Sequence, residues 1–304
     1  MIRNLYARLQ EAGDHGPEAA AQAVDAAAEA GPDLQGMLMH HLTDGTELEF
    51  FNFVIHLPQW EPLHLGPLTL DLSPTKHVVF MVLAALLCIV LFVGTARALT
   101  RRDAGKAPSG MANAMEALIL YFRDDVIRPN IGHGSDAYTP FILTLFFFIL
   151  FMNLFGLVPF GATPTGNLSV TAALALITFI TVEITGIRAL GPAGYAKTIF
   201  YAPPGMPVWG QAIMLVIMTP VEFLGKLTKP FALAIRLFAN MTAGHTLVLS
   251  LLGLIFIFGS FAVAGASVAM STAVMVLEVF VAFLQAYIFA MLSSVFIGLI
   301  RHAH

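Results

Sequence analysis

Residues 211–258 read QAIMLVIMTPVEFLGKLTKPFALAIRLFANMTAGHTLVLSLLGLIFIF. This helix-compatible run of 48 residues is interrupted only by Pro220 and Pro230 and would be ~72 Å long at 1.5 Å per residue. The hydrocarbon core of a bilayer is only ~30 Å thick. Residues 265–300 form a second apolar run of 36 residues, ~54 Å by the same rule. Excess length is absorbed by tilt, kinks or interfacial stretches. Two adjacent overlong segments therefore predict a strongly tilted antiparallel hairpin, turning near Gly259–Gly265. Within its first arm Arg236 sits in FALAIRLFANM, with no acid within nine residues on either side. A guanidinium stays protonated in proteins, so it can hold or repel charge but cannot pass protons on. Either it partners a distant acid of its own chain, or it meets a charge on another protein.

Composition agrees with lipid as the solvent. Of 304 residues 58% are hydrophobic and 11% charged, with a mean hydropathy of +0.80, whereas a soluble domain carries roughly 25% charged residues. A net charge of -4 without a basic cluster gives no indication of nucleic-acid binding. The single cysteine, Cys88, excludes a disulfide frame and a thiol metal site. His40, His41, His56 and His64 match no ligand spacing and read as surface histidines. No metal or cofactor is expected.

Working toward the N-terminus, residues 168–187 and 140–160 read as spans joined by a loop, Gly161–Asn167, without Lys or Arg. Residues 110–128 are too polar to cross. With Met111, Met115, Leu118, Phe122 and Val126 at helical spacing, they predict an amphipathic helix on the cytoplasmic face. Residues 77–99 are the first span, followed by Arg97, Arg101, Arg102 and Lys106, which mark its cytoplasmic end under the positive-inside rule. Arg188, Lys197 and Arg301 fall on the same side. The fold class is thus an all-α integral membrane protein with about five spans plus one cytoplasmic amphipathic helix, N-terminus outside and C-terminus inside. Residues 37–75, with Trp60 and several Phe among prolines, read as an external interfacial segment preceding a membrane domain over 76–304. Residues 1–36 are a polar extension, either helical or disordered. No cleavable targeting signal is visible, which favours a bacterial inner membrane over an organelle.

The hairpin carries Glu222, Lys226, Lys229, Arg236, His245 and Glu278. Ionisable groups inside spans cost roughly 2.5–3.5 kcal/mol at the helix centre and face protein or water-filled cavities. Lys226 and Lys229 read as boundary anchors whose stems snorkel. Glu222 and Lys226, four residues apart, either pair or line an aqueous path. In an antiparallel hairpin paired positions keep a nearly constant index sum; Arg236 with Gln285 gives 521 and His245 with Glu278 gives 523. Two polar levels ~13 Å apart are expected, with Asn240 one turn from Arg236 on its face. Nine residues rotate a helix by ~180°, so His245 points away from Arg236. Either the helix is distorted near Gly244, or the titratable pair serves a path behind the arginine face; we favour the second.

Lys229–His245, KPFALAIRLFANMTAGH, closely resembles the arginine signature of the a subunit of F-type ATP synthases. NLFGLVP at Asn153–Pro159, Asn167 at the head of the next span, and LQAYIFAML at Leu284–Leu292 extend the likeness over about residues 37–300. The resemblance implies a non-catalytic stator subunit beside a rotating c-ring, together with subunit b of the peripheral stalk and the rest of the F1F0 complex. Two offset half-channels would pass protons. By motif position Arg236 is the essential cation, Asn240 the motif asparagine and Gln285 the polar residue facing the arginine. Glu222 would line the inner path, and His245 with Glu278 the outer one. His245 and Glu278 stand where some members have acid and histidine exchanged, as a coupled pair allows. A self-contained transporter or channel is the competing class; the lack of an internal repeat argues against it, and copurification with a ring of small hairpin subunits separates the two. Among enzyme motifs there is no His-Glu-x-x-His, no Gly-x-Ser-x-Gly and no Walker loop; GYAKT at Gly194–Thr198 lacks the Gly before Lys.

Overall fold

The structure, a computed structural model, describes residues 44–50, 53–65, 68–71, 73–101, 110–158, 161–200 and 207–302. The polar extension over 1–36, His40, His41, Arg102 and Lys106, and the expected end of a span at residue 160 lie outside the described residues.

Two short antiparallel hairpins precede the helices: β1 (Glu47–Phe50) with β2 (Phe53–His56), and β3 (Leu63–Leu65) with β4 (Leu68–Leu70). Sequence reading did not anticipate strands here, because the prolines and mixed polarity of the segment hide a period of two. The register sets Glu47 opposite His56, whose Nδ1 lies 3.2 Å from the Glu47 carboxylate. Such cross-strand pairs stabilise a ribbon by a few tenths of a kcal/mol.

Helix α1 (Lys76–Thr100) begins at Thr75, whose hydroxyl accepts from the Val78 amide. An amphipathic stretch follows as α2 (Met111–Tyr121), a π-helical turn (Phe122–Ile127) and the short α3 (Arg128–Ile131). The wider π turn keeps Phe122, Val126, Ile127 and Ile131 all inward. Met111 is exposed instead, at the very start of the stretch, while Met115 is buried. The apolar face is covered by protein, the Phe122 ring lying tilted against Phe146 at 4.5 Å and edge-on to Tyr287 at 5.9 Å. On the polar face Arg128 pairs with Asp124 at 2.6 Å. Arg123 hydrogen-bonds Asp136 at 2.9 Å and holds its carboxyl below the usual carboxylate range.

The centre of the bundle is α4 (Thr139–Leu157), with Ile142, Ile149 and Met152 fully enclosed. It runs antiparallel to α1 through the ring pairs Phe80–Phe155 and Phe92–Phe147. Helix α5 (Leu168–Ile199) is capped by Asn167, whose side chain accepts from the Ser169 amide at 2.9 Å. This helix does not stop near residue 187. It continues to a kink at Gly191 (φ 70°), a conformation glycine tolerates, and restarts at Pro192. The short final piece turns back so that Tyr195 lies beside Gly186.

Helices α6 (Val208–Phe258, 51 residues) and α7 (Phe261–Arg301, 41 residues) complete the fold. Their ~77 and ~62 Å lengths exceed the bilayer, so both cross it obliquely. Pro220 and Pro230 do not break α6, since neighbouring groups within membranes relieve a lost amide bond. The hairpin turn is tighter than expected, reduced to Gly259 in the left-handed region (φ 56°) and Ser260. Side-chain pairing defines two ends of the bundle: His77, Asn167 and His245 lie toward one, Lys226, Ser294 and Arg301 toward the other.

Gly298 lets α7 touch the α3 backbone: a Cβ there would fall 1.9 Å from the Asn130 carbonyl oxygen. Gly298→Ala is expected to destabilise the detergent-solubilised protein by ~1–3 kcal/mol, the usual cost of overpacking. Gly265→Ala, with nothing within 4 Å, is expected to leave stability unchanged or slightly raised. Denaturant titration of both variants checks this, and equal stabilities would contradict it.

Candidate functional site

Leu233, Ala234, Leu237 and Met241 form the buried face of α6. Arg236 emerges on the other side, exposed, and makes no hydrogen bond or ion pair among the described residues. Ala232, Ala239 and Ala243, about one or two turns away on the same face, are also exposed. A permanent cation thus stands in a strip of small side chains on an apolar helix. Asn240 is half-buried one turn along, and Gln285 of α7 is buried. The sequence reading set Gln285 opposite Arg236, yet no hydrogen bond joins them.

The second polar level is assembled as the index sum predicts. The His245 Nδ1 lies 3.9 Å from Oε2 of Glu278 in α7, and the Glu278 side chain is buried. Helix α6 runs continuously through Gly244, so His245 leaves it on the side away from Arg236. Two glycines make the room. A Cβ at Gly244 would fall 2.1 Å from Glu278 Oε1, and one at Gly156 of α4 would fall 2.8 Å from His245 Nε2. The Thr163 hydroxyl, from the α4–α5 loop, hydrogen-bonds His245 Nε2. An imidazole with a hydroxyl on one nitrogen and a carboxyl near the other can take a proton at one and release it at the other. Asn153 locks the depth of this cluster: its Nδ2 donates to the Ala282 carbonyl at 3.3 Å, and its Oδ1 accepts from Thr165 at 2.7 Å.

Toward the other end, α5, α6 and α7 enclose a cavity of about 200 Å³. Glu183, Glu222, Lys226 and Lys229 line it with Thr178 and Thr198, against apolar walls such as Phe179 and Phe296. Lys226 does not snorkel and does not pair with Glu222. Its ammonium lies 3.8 Å from Glu183, 3.3 Å from the Thr198 hydroxyl and 4.1 Å from the centre of the Tyr195 ring. Three partners on α5 outcompete one exposed carboxylate on the lysine's own helix. Lys229 lies 5.5 Å over the Phe296 ring.

Of the residues singled out from sequence, His245 and Glu278 meet, and Glu222 opens on the cavity. Arg236 stands apart from both groups: fourteen residues separate it from Glu222 and nine from His245, ~21 and ~13 Å along the helix. Glu183 and Thr163 were missed. An acid inside the apolar run 168–187 was a legible signal for Glu183. A loop threonine carries none.

Residues 78–298 match the family described as ATP synthase A chain. The chain is 47% identical over 262 residues to the ATP synthase subunit a of Chloroherpeton thalassium, covering 86% of this chain and 75% of that relative. It is 44% identical to that of Anaeromyxobacter dehalogenans over 94% of this chain and 78% of the relative. With the ATP synthase subunit a 2 of Chlorobium luteolum it shares 42% identity over 98% and 90% of the two chains. Bacterial relatives and five helices long and apolar enough to span a bilayer make it a multi-pass protein of a bacterial inner membrane. The arginine-bearing hairpin and these matches together mean that the chain belongs to the ATP synthase A chain family.

Proposed function

We propose that this chain is the stator proton-channel subunit of an F-type ATP synthase, working against a ring of c subunits that each carry a membrane-buried acid. The observation that carries the reading is Arg236: an exposed cation with no partner of its own chain among the described residues, set between two polar groups on separate parts of the bundle. An ionised ring carboxylate is costly in lipid, and Arg236 compensates it as it passes. The small side chains beside Arg236 favour close approach of a partner helix. The same cation repels hydronium, so protons cannot leak straight from one polar group to the other.

In this scheme Thr163, His245 and Glu278 serve the outer half-channel and the cavity at Glu222 the inner one, with Asn240 and Gln285 completing the polar lining near the arginine. Each charge moved supplies about 2.3 kcal/mol per 100 mV, spent on turning the ring. Nucleotide chemistry belongs to partner chains, and subunit b holds this one fixed. The N-terminus is outside and the C-terminus cytoplasmic, a reading supported by Arg97, Arg101, Arg188 and Arg301 gathering at one end.

Arg236→Ala is expected to abolish ATP-driven proton pumping by inverted vesicles while the complex still assembles; appreciable pumping by the assembled variant would defeat the reading. Glu278→Gln is expected to slow pumping without uncoupling it from ATP hydrolysis, and wild-type rates would remove Glu278 from the path. Gly244→Ala, which pushes the Glu278 carboxylate off its seat, is expected to slow pumping in the same way, by roughly the 100-fold lower bound for loss of a positioned acid–base group or less.

A further inference from the structure

We infer that Glu183 is a second proton-exchanging carboxylate of the inner cavity, with Lys226 as the positioning residue that keeps a cation beside it. This rests on the proton-channel reading proposed above. Glu183 lies inside an apolar membrane helix with its side chain 18% exposed, and Lys226 is more enclosed still, at 10%. Isolated pairs of this kind are weak contributors to stability, and apolar replacements often do as well. The geometry is also wrong for a locked pair: 3.8 Å exceeds the 2.7–2.9 Å of a charge-assisted hydrogen bond. The closest polar contact of Lys226 is the Thr198 hydroxyl at 3.3 Å, and its ammonium also stands over the Tyr195 ring. Among the described residues the nearest cation to Glu183 is thus Lys226, within ion-pair reach but beyond hydrogen-bond distance, and this leaves the carboxyl open to exchange a proton.

Among the described residues the charged and titratable surroundings of Glu183 are few. Helix α6 presents Lys226, Lys229 and Glu222 to the cavity, and the segment of α5 beyond the Gly191 kink presents Tyr195 against Lys226. From α7 come only Phe296, Leu299 and Ile300, none of them titratable. Two ammonium groups and two carboxylates therefore balance when both acids are ionised. One proton entering the cavity leaves a net charge of +1, whichever acid takes it, and its release to water restores neutrality. With two carboxyl groups lining a cavity of about 200 Å³, a proton leaving the ring has a second acceptor when Glu222 is occupied. The kink at Gly191 makes this possible, since it swings Tyr195 and Thr198 back to hold Lys226 beside Glu183.

The test uses the assembled ATP synthase in inverted vesicles, with proton flux normalised to assembled complex and measured against the pH on the Lys226 and Arg301 side. Glu183→Gln is expected to lower flux by up to about tenfold, less than loss of a sole acid–base group because Glu222 remains. Lys226→Gln is expected to displace the pH profile of the flux, since the substitution removes the cation beside the carboxyl. Combining the two substitutions should remove that displacement, a coupling read as a double-mutant cycle. If Glu183→Gln fails to assemble, the charge-neutral double variant decides: its flux should be lowered as for loss of the acid. Wild-type flux and pH profile in every assembled variant would overturn the inference and leave the channel reading intact. Absence of any flux in the unmodified complex would instead overturn the channel reading.

Discussion

A guanidinium that cannot lose its proton, held in an apolar helix without a counter-charge among the described residues, is the constraint on which this molecule is built. In the proposed function an acid outside the chain answers its charge. Everything around it serves that exposure. Leu233, Leu237 and Met241 anchor the opposite face of α6, the neighbouring alanines leave the approach open, and the two acids of the cavity are kept some 14 residues or more away along the chain. Had Glu222 or Glu278 been within reach, the cation would be a buried ion pair and could answer no moving charge.

The second requirement is that the titratable groups stay off the arginine face. Helix geometry does this without special devices. Nine residues from Arg236, His245 leaves α6 on the inner side, where Gly244 and Gly156 clear space for Glu278 and Thr163. Asn153 ties α4, α7 and the Thr165 loop at the same level, fixing the depth of Glu278. At the other end the kink in α5 performs the equivalent task, folding Tyr195 and Thr198 against Lys226. One helix thus carries a fixed charge on one side and contributes to two separate groups of ionisable residues on others.

Much of this was legible from the chain alone, because membrane helices must be long, apolar and internally bonded. The overlong runs, the charge asymmetry and the lone arginine required no partner to be read, and the index sum of an antiparallel hairpin brought His245 to Glu278. The failures have specific causes. Lys226 was read as a boundary anchor because residue spacing along one helix cannot reveal a better set of partners on another. The Gly191 kink was invisible because Arg188 looks like a span end, and glycine before proline looks like a loop. Gln285 shares a level with Arg236 in sequence arithmetic but is turned inward, since rotation about the helix axis is set by packing of small residues such as Ala282 and Ala286. The β-hairpins were hidden by their brevity, three or four residues per strand.

A side-chain-resolution map of the assembled complex tests the central claim most directly. The account predicts the Arg236 guanidinium facing a second protein across the strip of alanines, within ~4–6 Å of that protein's membrane-buried carboxyl in at least one state, the range over which opposite charges favour ionisation. An Arg236 turned out to lipid headgroups, or bonded to an acid of its own chain with no second protein against α6, would contradict it.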